Sequence, residues 1–239
     1  MQALILAGGL GTRLRPEVND RPKPMALAHG KPFLEYQINH LRKYGLVDIV
    51  LAVGFMHEKI EEYFKDGEEF GVSIKYSIES EPMGTGGALK KAEKLLTEDK
   101  ILILNGDTLF DVDYKELICF DQLKKSRLTM ALRQTYGSGR YGHVEVEDTG
   151  KIIQFVEKGI VNESGYINAG IYLVDRNLLN SIDYGKAISF EKEVIPRWLH
   201  ENQIYGFIGT GYFIDIGIPE DYKQFCRDVK EGRWHDHQS

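Results

Sequence analysis

Four short apolar runs, alternating with stretches of helical apolar spacing, set the tightest limit on how this chain can fold. Ala3-Leu4-Ile5-Leu6-Ala7, Asp48-Ile49-Val50-Leu51-Ala52-Val53, the alternating run from Val72 to Ile78, and Ile101-Leu102-Ile103-Leu104 read as strands. Between the first two, Pro32 opens a helix whose apolar positions Phe33, Leu34, Ile38 and Leu41 recur at helical spacing, and Gly45 closes it. A second helix passes through Ile60, Tyr63 and Phe64. A third, from about Gly86, sets Ala88, Leu89, Ala92, Leu95 and Leu96 on one face. Strand–helix alternation with short connections implies a mostly parallel sheet covered by helices on both faces. The fold class is therefore α/β, a Rossmann-like three-layer α/β/α sandwich. Ligands of such sheets bind beyond the carboxyl ends of the strands, so the loop after Ala7, the Glu79–Gly87 segment and Asp107 are expected along one rim.

From about residue 127 the texture changes. Strand-like runs at Leu128–Leu132, His143–Val146, Ile152–Val156 and Tyr166–Leu173 follow closely, with turns at Asp148-Thr149-Gly150 and Asn162-Glu163-Ser164-Gly165. A helix from Ser189 through Trp198 and Leu199, strands near Ile204–Ile208 and Tyr212–Ile216, and a helix from Pro219 complete the chain. No composition break marks a linker, so residues 1–239 are expected to form one domain.

The loop after the first strand, Gly8-Gly9-Leu10-Gly11-Thr12-Arg13, carries the chemistry. Its glycines let backbone N–H groups approach an anion closely. Arg13 adds a permanently charged fork of donors, and Lys23, held between Pro22 and Pro24, adds a second cation. Together they describe a cradle for a polyphosphate. The dinucleotide-binding fingerprint does not fit, because Leu14 stands where its third glycine belongs. The Walker-type loop does not fit either, because no lysine follows Gly11.

With a net charge of −6 over 239 residues, the chain must meet an anionic substrate with a local cluster of cations. The same charge argues against nonspecific binding to nucleic acid or anionic membrane. Cys119 and Cys226 fit no metal-binding spacing, and no signal-like N-terminus or long apolar run is present. These features point to a reduced, cytoplasmic protein. The tail His235-Asp236-His237 reads as a solvated end rather than a metal site. No feature of the sequence sets an oligomeric state.

The stretch GGLGTRLRP followed by RPKPM resembles the signature of the sugar-1-phosphate nucleotidyltransferases, and later segments extend the likeness over nearly the whole chain. The resemblance implies the nucleotide-diphospho-sugar transferase fold. It also implies a reaction in which a sugar 1-phosphate attacks the α-phosphorus of a nucleoside triphosphate and pyrophosphate leaves. Residues 1–126 would be the nucleotide-binding half and 127–239 the sugar-phosphate-binding half. Arg13 and Lys23 are the expected catalytic cations. Leu6, Ala7, Gly8, Gly9, Gly11 and Thr12 would line the triphosphate. Asp107 and Asp215 match the family's metal-binding aspartates, with Mg2+ the implied cofactor.

Glu79, Gly84, Thr85 and Gly86 fall in a segment resembling the base-reading loop. A carboxylate there suits the adjacent donors of guanine, which makes GTP the preferred nucleotide. Tyr141, Gly142, Glu157, Lys158, Asn168 and Gly170, together with Arg140, match sugar-phosphate contacts. The nearest likeness is to short guanylyltransferases of the heptose-1-phosphate type. Mannose-1-phosphate and glucose-1-phosphate enzymes share these motifs. Two other readings stand beside this one. A metal-dependent glycosyltransferase could use Asp111-Val112-Asp113 as an Asp-x-Asp motif, although acids there also suit a helix start. A noncatalytic nucleotide-sugar-binding subunit is the other.

Overall fold

The computed structural model describes residues 1–136, 141–156, 164–201 and 203–234. Its strands are β1 (Gln2–Leu6), β2 (Leu27–Ala28), β3 (Lys31–Pro32), β4 (Asp48–Val53), β5 (Ser73–Ile78), β6 (Lys100–Asn105) and β7 (Thr108–Phe110) in the first half. The second half adds β8 (Leu128–Tyr136), β9 (His143–Val146), β10 (Ile152–Val156), β11 (Ser164–Asp175), β12 (Ile204–Gly209) and β13 (Phe213–Asp215). The α-helices are α1 (Phe33–Lys43), α2 (His57–Phe64), α3 (Gly84–Ala92), α4 (Tyr114–Lys124), α5 (Ile195–Glu201) and α6 (Pro219–Lys230).

One nine-stranded sheet contains strands of both halves, in the order β10-β9-β11-β6-β1-β4-β5, with β8 on the other side of β11 and β12 beyond β8. Strands β6, β1, β4 and β5 are parallel, as the alternation with helices requires. β11 enters antiparallel to β6, β8 and β9. The sheet is therefore mixed, with helices on both faces.

Alternate side chains of the parallel strands serve opposite faces. Ala3, Ile5, Ile49, Leu51, Leu102 and Leu104 pack with residues of α1, α2 and α4. Leu4, Val50, Ala52, Ile101 and Ile103 pack with residues of α3 and α5. A third, smaller cluster joins Leu14 and Val18 of the first loop to α1, α6 and the β7–β13 ribbon through Phe33, Tyr36, Leu109, Ile214, Ile216 and Phe225. That cluster positions the site.

Three local readings change. Ser164 and Gly165, expected in a turn, already belong to β11, whose pairing with β8 starts at Ser164↔Tyr136. The helix expected from Ser189 starts as a π-helical turn, Phe190–Val194, before α5. Pro196 has no N–H for the carbonyl of Lys192, so a regular α turn cannot close there. α3 starts at Gly84, two residues before the expected position. Among the described residues no helix is long and apolar enough to cross a membrane.

Candidate active site

The ends of β1, β4 and β6 meet the first loop tightly. The Ala7 N–H donates to Ala52 O at 2.7 Å, and the Gly106 N–H to Leu6 O at 3.0 Å. A Cβ at position 8 would stand 2.5 Å from Glu79 Oε1, so any larger residue there would displace that carboxylate. Gly11 has φ +60°, and a Cβ on it would press on the Lys23 side chain at 3.1 Å. The glycines thus let the loop lie against both the Glu79 carboxylate and Lys23.

Around this loop opens a cavity of about 480 Å³. Its walls include Leu6, Ala7, Gly8, Gly9, Gly11 and Arg13 from the first loop, together with Lys23, Glu79, Gly84 and Thr85. Asp107, Asp215, Tyr141, Gly142, Asn168 and Gly170 complete the predicted residues that it brings together. Arg13 is exposed and paired with no carboxylate among the described residues. Thr12 is exposed and Gly86 is buried, and neither lines the cavity. The Gly86 N–H donates instead to Ile188 O at 2.8 Å. Arg140, Glu157 and Lys158 lie outside the described residues.

Lys23 opens a short 3-10 turn between its two prolines, and its Nζ donates to Asp107 Oδ2. Asp107 sits in the turn between β6 and β7, and Asp215 ends β13, the antiparallel partner of β7. The pairing Asp215↔Thr108 and the bond from the Ile216 N–H to Asp107 O, at 2.9 Å, bring the two aspartates together across distant sequence. Asp215 Oδ1 accepts from the Gly217 N–H at 2.6 Å. Burial opposes ionisation of Asp107, but the Lys23 charge and hydrogen bond outweigh it and hold that carboxyl below its ordinary pKa. Burial and the Asp107 charge push Asp215 up to about 6. Two carboxylates thus share one ammonium group.

At the far end of the cleft, Glu79 Oε2 accepts from the Met83 N–H at 3.0 Å, leaving Oε1 toward Gly8. Burial raises its carboxyl pKa against that hydrogen bond. On the side of the antiparallel strands the cleft lies where β11 forks. Its later half pairs with β6, and its earlier half pairs with β9. The pairing with β8 shifts register between Asn168 and Tyr172. Gly170 has φ +70°, and a Cβ there would meet Asn105 Nδ2 at 3.0 Å. Asn168 braces this bulge. Its Nδ2 donates to Tyr172 Oη at 2.7 Å and its Oδ1 accepts from the Gly170 N–H at 3.0 Å. One hydrogen and one lone pair of the amide are left for a ligand. Tyr141 packs edge-on against Phe213, ring centroids 5.6 Å apart.

Sequence reasoning missed Asn105, Thr108, Ser189, Glu191, Lys192 and Phe213, which also line the cavity. The segment around Glu191 is brought in by Thr85, whose Oγ1 donates to Glu191 Oε2 at 2.7 Å and accepts from the Phe190 N–H at 2.8 Å. A Glu-Lys pair in the first turn of a helix is the only local signal for it. Asp113 takes the bland role. It caps α4, accepting from the N–H groups of Lys115 at 2.8 Å and Glu116 at 3.1 Å. Neither Asp111 nor Asp113 lines the cleft, which removes the Asp-x-Asp argument for a glycosyltransferase.

Residues 2–232 match the Nucleotidyl transferase family. The D-glycero-alpha-D-manno-heptose 1-phosphate guanylyltransferase of Aneurinibacillus thermoaerophilus is 43% identical over 231 residues, covering 96% of this chain and 99% of that protein. The Campylobacter jejuni protein of the same name is 44% identical over 225 residues, covering 94% and 98%. The crystal structure of HddC from Yersinia pseudotuberculosis complexed with GMP-PN superposes with a TM-score of 0.85 at 34% identity, covering 95% of this chain and 99% of that one. With a family model matched over nearly its whole length and relatives above 40% identity covered almost end to end, the chain belongs to the nucleotidyl transferase family.

Proposed function

We propose that this chain joins GTP to D-glycero-α-D-manno-heptose 1-phosphate, forming GDP-heptose and releasing pyrophosphate. The observation that carries the reading is the meeting of the glycine loop, Arg13 and Lys23 with Asp107 and Asp215 in one cleft. The kinship with heptose-1-phosphate guanylyltransferases selects the substrates. An oxygen of the sugar phosphate attacks the α-phosphorus, the bond from that phosphorus to the bridging oxygen breaks, and pyrophosphate departs with the electron pair. Two polyanions must approach, so catalysis is chiefly positioning and charge neutralisation. Arg13 and the loop amides hold the β- and γ-phosphates and stabilise the leaving group. Lys23 neutralises the α-phosphate as the second anion arrives. Glu79 accepts from N1–H and N2–H2 of guanine, with the Met83 N–H keeping it aimed. Residues 1–126 serve the nucleotide and 127–239 the sugar phosphate, where Tyr141, Gly142, Asn168 and Gly170 line the ring site and Lys192 adds positive charge.

The donor set fits a magnesium ion. Two hard carboxylate oxygens, on a pair where burial and then the Asp107 charge hold Asp215 near 6, favour a divalent cation between them. Among the described residues no third acidic, histidine or cysteine ligand joins them, which leaves the remaining positions to phosphate and water. Asp107 and Asp215 would hold the ion, which would supply neutralising charge for the phosphate oxygens.

The test is pyrophosphate release from GTP, ATP, UTP and dTTP against heptose, mannose and glucose 1-phosphates. GTP with the heptose phosphate is expected to give the highest kcat/KM. A higher value with mannose 1-phosphate would transfer the assignment to that sugar, and a higher value with dTTP would contradict the role of Glu79.

A further inference from the structure

The buried amide of Gln37, on α1, is 1% exposed and does not itself line the cleft. Its Nε2 donates to two backbone carbonyls, Asn105 O at 2.9 Å and Thr108 O at 2.6 Å. Those carbonyls stand on either side of Asp107. One amide nitrogen therefore spans the turn that presents this carboxylate, with one hydrogen for each carbonyl. Its Oε1 is buried and without a hydrogen-bond partner among the described residues. Rotating the amide would set that oxygen against two carbonyl oxygens, so chemistry allows one orientation.

The grip extends to the other site residues. Thr108 pairs with Asp215 in the β7–β13 ribbon, and Asp107 O accepts from the Ile216 N–H. Fixing one turn thus fixes the separation of both aspartates. The neighbouring Tyr36 donates from its hydroxyl to Ala28 O at 2.8 Å, and the Phe33 N–H donates to Ala26 O at 2.9 Å. These bonds hold the segment that follows Lys23. Helix α1 is a common mount, with Lys23 fastened by one set of hydrogen bonds and the aspartates by another.

We infer that Gln37 is a positioning residue for the metal site, holding the turn that carries Asp107 at the spacing from Asp215 and Lys23 that a divalent cation and a triphosphate need. The inference rests on the assignment of Asp107 and Asp215 as metal ligands. Methionine matches the volume of glutamine but offers no donor, so Gln37→Met frees the turn while filling its space. Outer-shell partners of metal ligands typically control about 10- to 100-fold in metal affinity or activity. The experiment is Mn2+ binding to the full chain in the presence of a non-hydrolysable GTP analogue, read by the electron paramagnetic resonance signal of free Mn2+. Wild type, Gln37→Met and Asp107→Asn are compared, and each melting temperature is recorded without metal. If Gln37→Met fails to fold, Gln37→Asn, an amide too short to span both carbonyls, replaces it.

The expected result for Gln37→Met is a Mn2+ dissociation constant raised at least about tenfold. The Mg2+ activation constant should rise in parallel while KM for the sugar phosphate stays unchanged. A lowered melting temperature with Mn2+ affinity within about twofold of wild type would make Gln37 purely structural and overturn the inference, provided Asp107→Asn does weaken binding. Unaltered Mn2+ binding in Asp107→Asn would instead remove the ligand assignment, and this inference with it.

Discussion

On the proposed reading Lys23 has two tasks, and its contact with Asp107 links them. From the sequence it is a cation awaiting phosphate; in the structure it already neutralises a carboxylate. Lys23→Ala should therefore lower turnover by roughly 10²–10³-fold, as expected for loss of a group that meets transition-state charge. It should also leave Asp107 and Asp215 facing one another without a cation. Melting of the variant should fall in a chelator and recover more strongly with Mg2+ than that of wild type. Steady-state kinetics and thermal denaturation with and without metal measure the two effects separately.

His40 makes an independent prediction about pH. Burial among Tyr44, Tyr114 and Trp234 pulls its pKa down to about 4, although Asp111, Asp113 and the Val112 backbone favour the charged form, while Lys43 adds to the depression. The unfolded chain binds a proton near the ordinary histidine value, and the folded chain resists it. Stability is therefore fully present above about pH 6.5 and is lost as pH falls toward 4, by on the order of 3 kcal/mol. His40→Phe should flatten this part of the stability–pH curve, measured by urea denaturation between those limits.

At the scale of elements, the fork of β11 makes room for a ligand within a continuous sheet. The sheet can open there because Gly170 takes a left-handed conformation and leaves space for Asn105. Gly170→Ala should cost roughly 1–2 kcal/mol from backbone strain alone and displace the Asn105 amide into the cleft. Denaturant unfolding checks the first effect; a raised KM for the sugar phosphate checks the second. The parallel strands and their helices were legible because burial on two faces writes continuous apolar runs, as in Ile49–Val53. The β7–β13 ribbon was only half legible. Phe213–Asp215 lay within an expected strand, but Thr108–Phe110 is too short to show a period, and its partner lies far along the chain. The segment at Ser189–Lys192 was equally hidden, since its place in the cleft depends on the hydrogen bonds of Thr85.

For the whole molecule, the cleft joins two kinds of sheet. The parallel half ends in loops whose glycines and cations line the cleft. The antiparallel half supplies Asn168 and Gly170, and the β13 ribbon adds Asp215. The glycine loop and the cations could be read from residue types, and their place on one rim with Asp107 from the strand–helix alternation; the two acids were named only through the family resemblance. The meeting of Asp215 with Asp107 had no local signal, because it depends on the register of β7 against β13. On the proposed reading that convergence sets which phosphorus is attacked, with Arg13 near the glycine loop and Lys23 beside the aspartates placing the leaving group at the β,γ end of the triphosphate. The most direct test uses GTP labelled separately at the α- and γ-phosphorus, with heptose 1-phosphate and Mg2+. The α label should appear in the nucleotide-sugar and the γ label in pyrophosphate; transfer of the γ label to the sugar phosphate would contradict the account.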